Sequence, residues 1–264
     1  MSSTSEGERG VPAVSVVVPV HNEADNIPVL LDEIAAALAG REPFEVIFVN
    51  DGSGDGTEGV LKGLMATRPW LRQIRHKQSA GQSAAIRTGM RAARGPVTVA
   101  LDGDGQNDPA FIPILVDTLI EGGPKVGLAQ GQRNKRKGAF KQFQSRIANG
   151  VRSAVLRDGT RDTVCGLKAF RRDVYLALPY FDALHRFTPA LVRREGYEIR
   201  YVDVLDRPRA HGKSHYGMWG RLWIGIVDLY GVFWLIRRRH RVPQATEVSG
   251  DARSSDPPAR RFPA

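Results

Sequence analysis

A single cysteine, Cys165, occurs in 264 residues. One thiol excludes an intramolecular disulfide and any zinc site built on several cysteines, and it fits a reducing compartment. No Gly-x4-Gly-Lys loop is present, which removes the P-loop phosphate cradle. The glycine-rich run Asp51-Gly52-Ser53-Gly54-Asp55-Gly56-Thr57 also misses the dinucleotide fingerprint. The apolar stretch 222–236 is fifteen residues long and contains Asp228, whereas a membrane-spanning helix needs about twenty apolar residues. No full span is expected. Residues 1–12 are polar and lack the apolar run of a signal peptide, so nothing is expected to direct export, and a cytoplasmic location follows.

What is present is enough for a full core. Hydrophobic residues make up 42% of the chain, which suits one large domain, or one domain with an appendage. Residues 1–12 and 242–264 read as disordered tails, the second being rich in Pro, Ser, Arg and Ala. The formal charge of +10 invites a nucleic-acid reading, but its placement argues otherwise. Arg133, Lys135, Arg136, Lys137, Lys141 and Arg146 form one acid-free stretch, and Arg237, Arg238, Arg239 and Arg241 form another. These are local anion-facing patches. Aromatic or helical base-reading elements are missing, and a nucleic acid would be repelled by Asp102 and Asp104, so no nucleic-acid partner is expected.

Between the tails, strand and helix signals alternate. Strands are expected over 14–20, 45–50, 71–76 and 97–101, and helices over 27–38, 57–66, 81–93 and from Pro109 to about residue 121. Such spacing implies βαβ units and a mainly parallel sheet covered on both faces. In sheets of this kind ligands bind beyond the carboxyl ends of the strands.

Three expected strand ends carry polar signatures. The first runs into Pro19-Val20-His21-Asn22-Glu23, the second into Asn50-Asp51-Gly52-Ser53, and the fourth into Asp102-Gly103-Asp104-Gly105-Gln106-Asn107-Asp108-Pro109. The last segment resembles a calcium loop, but its sixth position is Asn107 rather than Gly and its twelfth is Pro113 rather than Glu. It reads equally as a polar turn starting a helix at Pro109 or as an oxygen-ligand site for a hard cation. Glu23 and Asp51 could then grip a nucleoside while Asp102 and Asp104 hold its diphosphate through the metal.

Pro19-x-x-Asn22-Glu23, then Asp51-Gly52-Ser53, then Asp102-Gly103-Asp104-Gly105-Gln106-x-Asp108-Pro109, in this order, resemble family 2 glycosyltransferases with the GT-A fold. The chain is similar in particular to dolichyl- and polyprenyl-phosphate sugar synthases, over roughly residues 15–241. The resemblance implies an α/β, Rossmann-like, mainly parallel sheet flanked by helices, with a C-terminal amphipathic helix at a membrane interface. It implies a GT-A catalytic domain over 13–211 and a closing loop with the membrane-associated helix over 212–241.

It also implies residue roles. Asp102, Asp104 and Gln106 would bind Mg2+ or Mn2+. Pro19, Val20, Asn22, Glu23, Asp51, Gly103 and Arg209 would join the two acids on the nucleotide-sugar. Arg133, Arg146 and Arg209 would meet phosphates, with Asp102, Asp104 and Arg133 as catalytic groups. Two departures stand out. His215 occupies the closing-loop position where relatives commonly have Lys, with Lys213 as a substitute cation. Ser79 stands where relatives commonly have Asn, and is given no role. The segments around Asp162 and His185 also look like this subgroup, with a turn cap the preferred reading for Asp162 and a partly buried structural histidine for His185.

The implied reaction is an inverting transfer of a hexose or related sugar from a GDP- or UDP-sugar to a polyprenyl phosphate, as in a metal-dependent hexosyltransferase. A lipid phosphate is already ionised near neutral pH, so its attack needs no general base, unlike a sugar or protein hydroxyl. For that alternative acceptor, Asp162 is the only base candidate. Trp219, Trp223 and Trp234 sit beside Tyr230 just before the terminal arginines, which suits a helix lying on the anionic cytoplasmic face of the inner membrane. The competing reading is a core or dimerisation helix. Oligomeric state is left open.

Overall fold

The computed structural model describes residues 10–133, 156, 159–160, 162, 165–205, 207 and 218–238. Arg146, Arg209, Lys213, His215 and nearly all of the two expected tails lie outside the described residues.

Four strands and four helices alternate from the start, as the hydrophobic periodicity predicts. They are β1 (Val14–Val20), α1 (Ile27–Ala37), β2 (Phe44–Asn50), α2 (Thr57–Met65), β3 (Leu71–Arg75), α3 (Gln82–Ala92), β4 (Val97–Ala100) and α4 (Ile112–Glu121). Asp108 precedes α4 and accepts a hydrogen bond from the Ala110 N–H at 3.0 Å, capping a short 3-10 turn that begins at Pro109. Beyond α4 come β5 (Val126–Arg133), β6 (Lys168–Arg171), α5 (Arg172–Ala177), α6 (Thr188–Arg194), β7 (Glu198–Val204) and α7 (Met218–Arg237).

The seven strands form one sheet in the order β3-β2-β1-β4-β6-β5-β7. Only β6 runs antiparallel to its neighbours. Successive strands build outward from β1 in one direction, then β4 starts on its other side, pairing Val17 with Ala100. That reversal opens a crevice past the ends of β1 and β4. Strand side chains alternate between faces. Val16, Val18 and Phe48 enter one apolar layer with α1 and α4, while Val17, Ile47 and Val49 enter the other with α3, α5 and α6. Burial on both faces explains why β1 and β2 read as unbroken apolar runs rather than alternating ones.

The last helix packs on the core along one side and is exposed along the other. Val232 is 2% exposed and packs with Leu229, Leu235 and Ile236 on the second layer. The Arg194 side chain donates to the Leu235 carbonyl at 3.1 Å, tying α6 to α7. The opposite side presents Ile226, Val227, Tyr230 and Trp234 to solvent, with Tyr230 71% exposed. Among the described residues, no helix is long and apolar enough to cross a membrane.

Candidate active site

Asp102 stands after Leu101, just past the end of β4 at the topological switch. Its carboxylate keeps some open surface toward a cavity of about 120 Å3 lined by Gln82, Cys165, Lys168, His185 and Arg186, among others. Gln82, at the start of α3, donates to Asp102 Oδ1 at 2.7 Å. Surrounding protein raises the Asp102 pKa, repulsion from Asp104 raises it further, and Lys168 and Arg133 oppose both, leaving it at about 6. A Cβ on Gly166 would overlap this carboxylate, so the backbone after Cys165 must be bare for β6 to pass it. Gly103 is bare for a similar reason: a Cβ there would lie 2.8 Å from the Pro19 carbonyl oxygen.

Two carboxylates that repel one another, in a turn offering further oxygen atoms from Gln106, are a donor set suited to Mg2+ or Mn2+. Among the described residues, no group of three His, Cys, Asp or Glu side chains could hold a metal. A cation held by two carboxylates keeps positions for substrate phosphates and water.

The neighbouring edge of the crevice is assembled from three loops. Asn22, with φ +57°, accepts from the Gly54 N–H at 2.9 Å, and its own N–H donates to Ser53 Oγ at 2.9 Å. The loops after β1 and β2 are thereby stitched together. Glu23 accepts from the Asn26 side chain at 2.5 Å. Asp51 is 4% exposed. It accepts from Ser79 Oγ at 2.8 Å, from the Ala80 and Gly81 N–H groups at 2.9 Å each, and meets His76 Nδ1 at 2.6 Å. Burial alone would raise its pKa, but these donors outweigh burial and hold the carboxylate below the usual range. Ser79, given no role from the sequence, is thus one of four groups fixing Asp51, and His76 is another.

The cations converge from the opposite side. Arg133 ends β5 and forks onto Asp162, with Nε at 2.6 Å and Nη2 at 3.2 Å. Asp162, expected as a turn cap, is the 3% exposed partner in that ion pair. Its carbonyl also accepts from Gln130 Nε2 at 2.6 Å. Lys168 on β6 reaches the His185 carbonyl at 2.7 Å. Ser83 Oγ lies 3.3 Å from the His185 backbone N–H and 2.7 Å from its Nδ1. Accepting the first leaves the hydroxyl hydrogen free to be donated to the second. Burial, then the Lys168 and Arg186 charges, push the His185 pKa down to about 3. The histidine is neutral, as its structural reading requires.

Gln82, Lys168 and Gly166 were given no role from the sequence. Their relevance comes from distance to Asp102, which only folding supplies.

The fold and this acidic turn at a sheet's switch point define a class, the GT-A glycosyltransferases. Residues 15–178 match the model of glycosyl transferase family 2, and the chain belongs to that family. It is 32% identical over 210 residues to the undecaprenyl-phosphate 4-deoxy-4-formamido-L-arabinose transferase of Aeromonas hydrophila, covering 79% of this chain and 64% of that relative. It is 32% identical over 234 residues to the dodecaprenyl-phosphate galacturonate synthase of Rhizobium johnstonii, covering 86% of this chain and 68% of that protein. Its fold resembles a mannosyltransferase from Pyrobaculum calidifontis in complex with GDP-Man and Mn2+, at TM-score 0.62 and 22% identity, over 89% of this chain and 66% of the other. The chain thus spans somewhat under two thirds of the length of the first of these relatives.

Proposed function

We propose that this chain transfers a sugar from a nucleoside diphosphate donor to a polyprenyl phosphate, with inversion at the anomeric carbon. The observation that carries the reading is the bidentate Arg133–Asp162 pair beside Asp102. A hydroxyl acceptor needs a carboxylate base, and the one candidate, Asp162, is engaged with a guanidinium that stabilises its ionised, hydrogen-bonded form. A phosphate acceptor needs no base and profits from the cation. The polyprenyl-phosphate names of two relatives support the same acceptor class.

In this mechanism Asp51 fixes the 78–81 loop around the nucleotide, with Pro19, Asn22 and Glu23 forming the facing edge. Asp102, Asp104 and Gln106 would hold the divalent cation, which supplies charge neutralisation for the departing diphosphate. Arg133 binds phosphate near the reacting centre, and Arg146, Arg209 and Lys213 or His215 extend that role from sequence. Gln82 orients Asp102, while neutral His185 lines the adjoining cavity without adding charge.

The outer face of α7 carries Ile226, Val227, Tyr230 and Trp234, with Arg237 stacked on Phe233 and Arg238 on Trp234. We infer that this face lies on an anionic leaflet at the cytoplasmic side of the membrane, bringing the lipid acceptor to the crevice. Incubating the purified chain with Mg2+ or Mn2+, a panel of GDP- and UDP-sugars that includes uronic-acid and formamido-arabinose donors, and a short polyprenyl phosphate tests the reading. A lipid-linked sugar is the expected product. Transfer to hydroxyl acceptors alone would overturn it.

A further inference from the structure

The turn that presents the two acids is braced on its outer side by a residue a hundred positions later. Arg207, just past β7, donates its backbone N–H to the Gln106 carbonyl at 2.9 Å. Its guanidinium donates to both Glu33 carboxylate oxygens at 2.8 and 2.9 Å, and reaches Asp108 Oδ1 at 2.8 Å. Asp108 Oδ1 is also the atom that caps the turn before α4. One side chain therefore links α1, the 104–108 turn and the start of α4.

This brace adds little to the fold as a whole. The Arg207 and Glu33 side chains are 39% and 35% exposed, and ion pairs at such positions contribute little to global stability. Its specific consequence is local. The backbone bond fixes the plane of the peptide after Gln106, and the ion pair fixes Asp108, so the segment between Asp104 and Asp108 is held at its far end.

We propose that Arg207 is a positioning residue for the metal-binding turn, setting where Asp104 and Gln106 present their oxygens while touching neither donor nor cation. The inference rests on the reading of that turn as the divalent-cation site. Groups that orient metal ligands from outside typically change metal affinity by about 10–100-fold when removed.

The test is a Mn2+ titration of the full chain, followed by the electron paramagnetic resonance of the free ion, with UDP or GDP present, alongside thermal unfolding. Arg207→Ala should raise the apparent Mn2+ dissociation constant about tenfold at a near-unchanged melting temperature. The backbone bond survives in either variant, so Arg207→Lys, which restores one ion pair, should recover part of the loss. Glu33→Gln, on α1 and away from the turn, should move affinity the same way by less. Wild-type Mn2+ affinity in Arg207→Ala overturns the inference alone. An affinity loss that appears only with a collapse in melting temperature, and not in Glu33→Gln, reduces Arg207 to a structural residue and also overturns it. A wild-type chain that binds no Mn2+ with either nucleotide overturns the metal reading and this inference with it.

Discussion

The two halves of the sheet do different work by different means. From β1 to β4 the functional carboxylates sit at the ends of parallel strands and are held by loops close to them, as Asp51 is by Ser79, Ala80 and Gly81. From β5 onward the working groups are cations supplied by separate segments: Arg133 against Asp162, Lys168 against the His185 carbonyl, Arg207 against Glu33 and Asp108. The first half is a preformed acidic cradle. The second sets positive charge around it, and the antiparallel β6 between β4 and β5 is what carries Lys168 and Gly166 to Asp102. On the proposed function, donor binding and charge balance are separable, and substitutions in the two halves should fail differently.

The largest effect belongs to the acidic half. Asp104→Asn should lower metal-dependent turnover by about 10²–10³-fold, the scale for removing one preorganised electrostatic group. The melting temperature should hold, because a partly exposed turn residue serves the ligand rather than the core. Near wild-type turnover would sink the metal assignment.

On the cationic half, Arg133→Ala should weaken use of the lipid phosphate by about 1.5–3 kcal/mol, the range for a hydrogen bond to a charged group. It should also lower stability, since it strips the guanidinium from the 3% exposed Asp162. Pairing it with Asp162→Asn separates the two losses: the double variant should regain stability but not acceptor affinity. Unchanged kinetic constants with acceptor varied would return Arg133 to a structural ion pair.

A third comparison lies within α7. Its inner face belongs to the core, so deleting the helix would confound folding with membrane release. Tyr230→Ser with Trp234→Ser, both on the open face, should reduce sedimentation with anionic vesicles while leaving unfolding unchanged. Replacing Arg237 and Arg238 should cost about 1 kcal/mol each and make the remaining binding less sensitive to salt. Full retention on vesicles by all four substitutions together would place the membrane contact elsewhere.

The last effect, absent near neutral pH, is acid sensitivity. The folded His185 pKa of about 3 lies below the ordinary value of 6.5, so the unfolded chain binds a proton that the fold excludes. Its contribution is complete above pH 6.5 and is lost as pH falls from there toward 3. His185→Gln should flatten that acid limb, and each 1 kcal/mol spared should appear as about 2–4 °C in melting temperature. An unaltered pH profile would show that His185 is not kept neutral by its surroundings.

The sequence by itself determined the first half of this protein. Each strand from β1 to β4 is a local apolar run, each helix a local amphipathic one, and the acids stand at their junctions, so a mainly parallel sheet with its polar loops at the carboxyl ends follows from general rules. Pro19, Glu23, Asp51, Asp102 and Asp104 could be proposed together from the sequence because they are strung along consecutive βα units. The strands β5, β6 and β7 left a weaker signal, since their boundaries depend on pairing across the sheet rather than on periodicity. Only the tertiary structure decided that Asp162 holds Arg133, that Gln82 and Lys168 face Asp102, that Arg207 braces the acidic turn, and that α7 is buried on one side and open on the other. Those facts rest on charge pairs and close approaches between residues tens to over a hundred positions apart, and the strength of such contacts is a property of distance in space, which no spacing along the chain encodes.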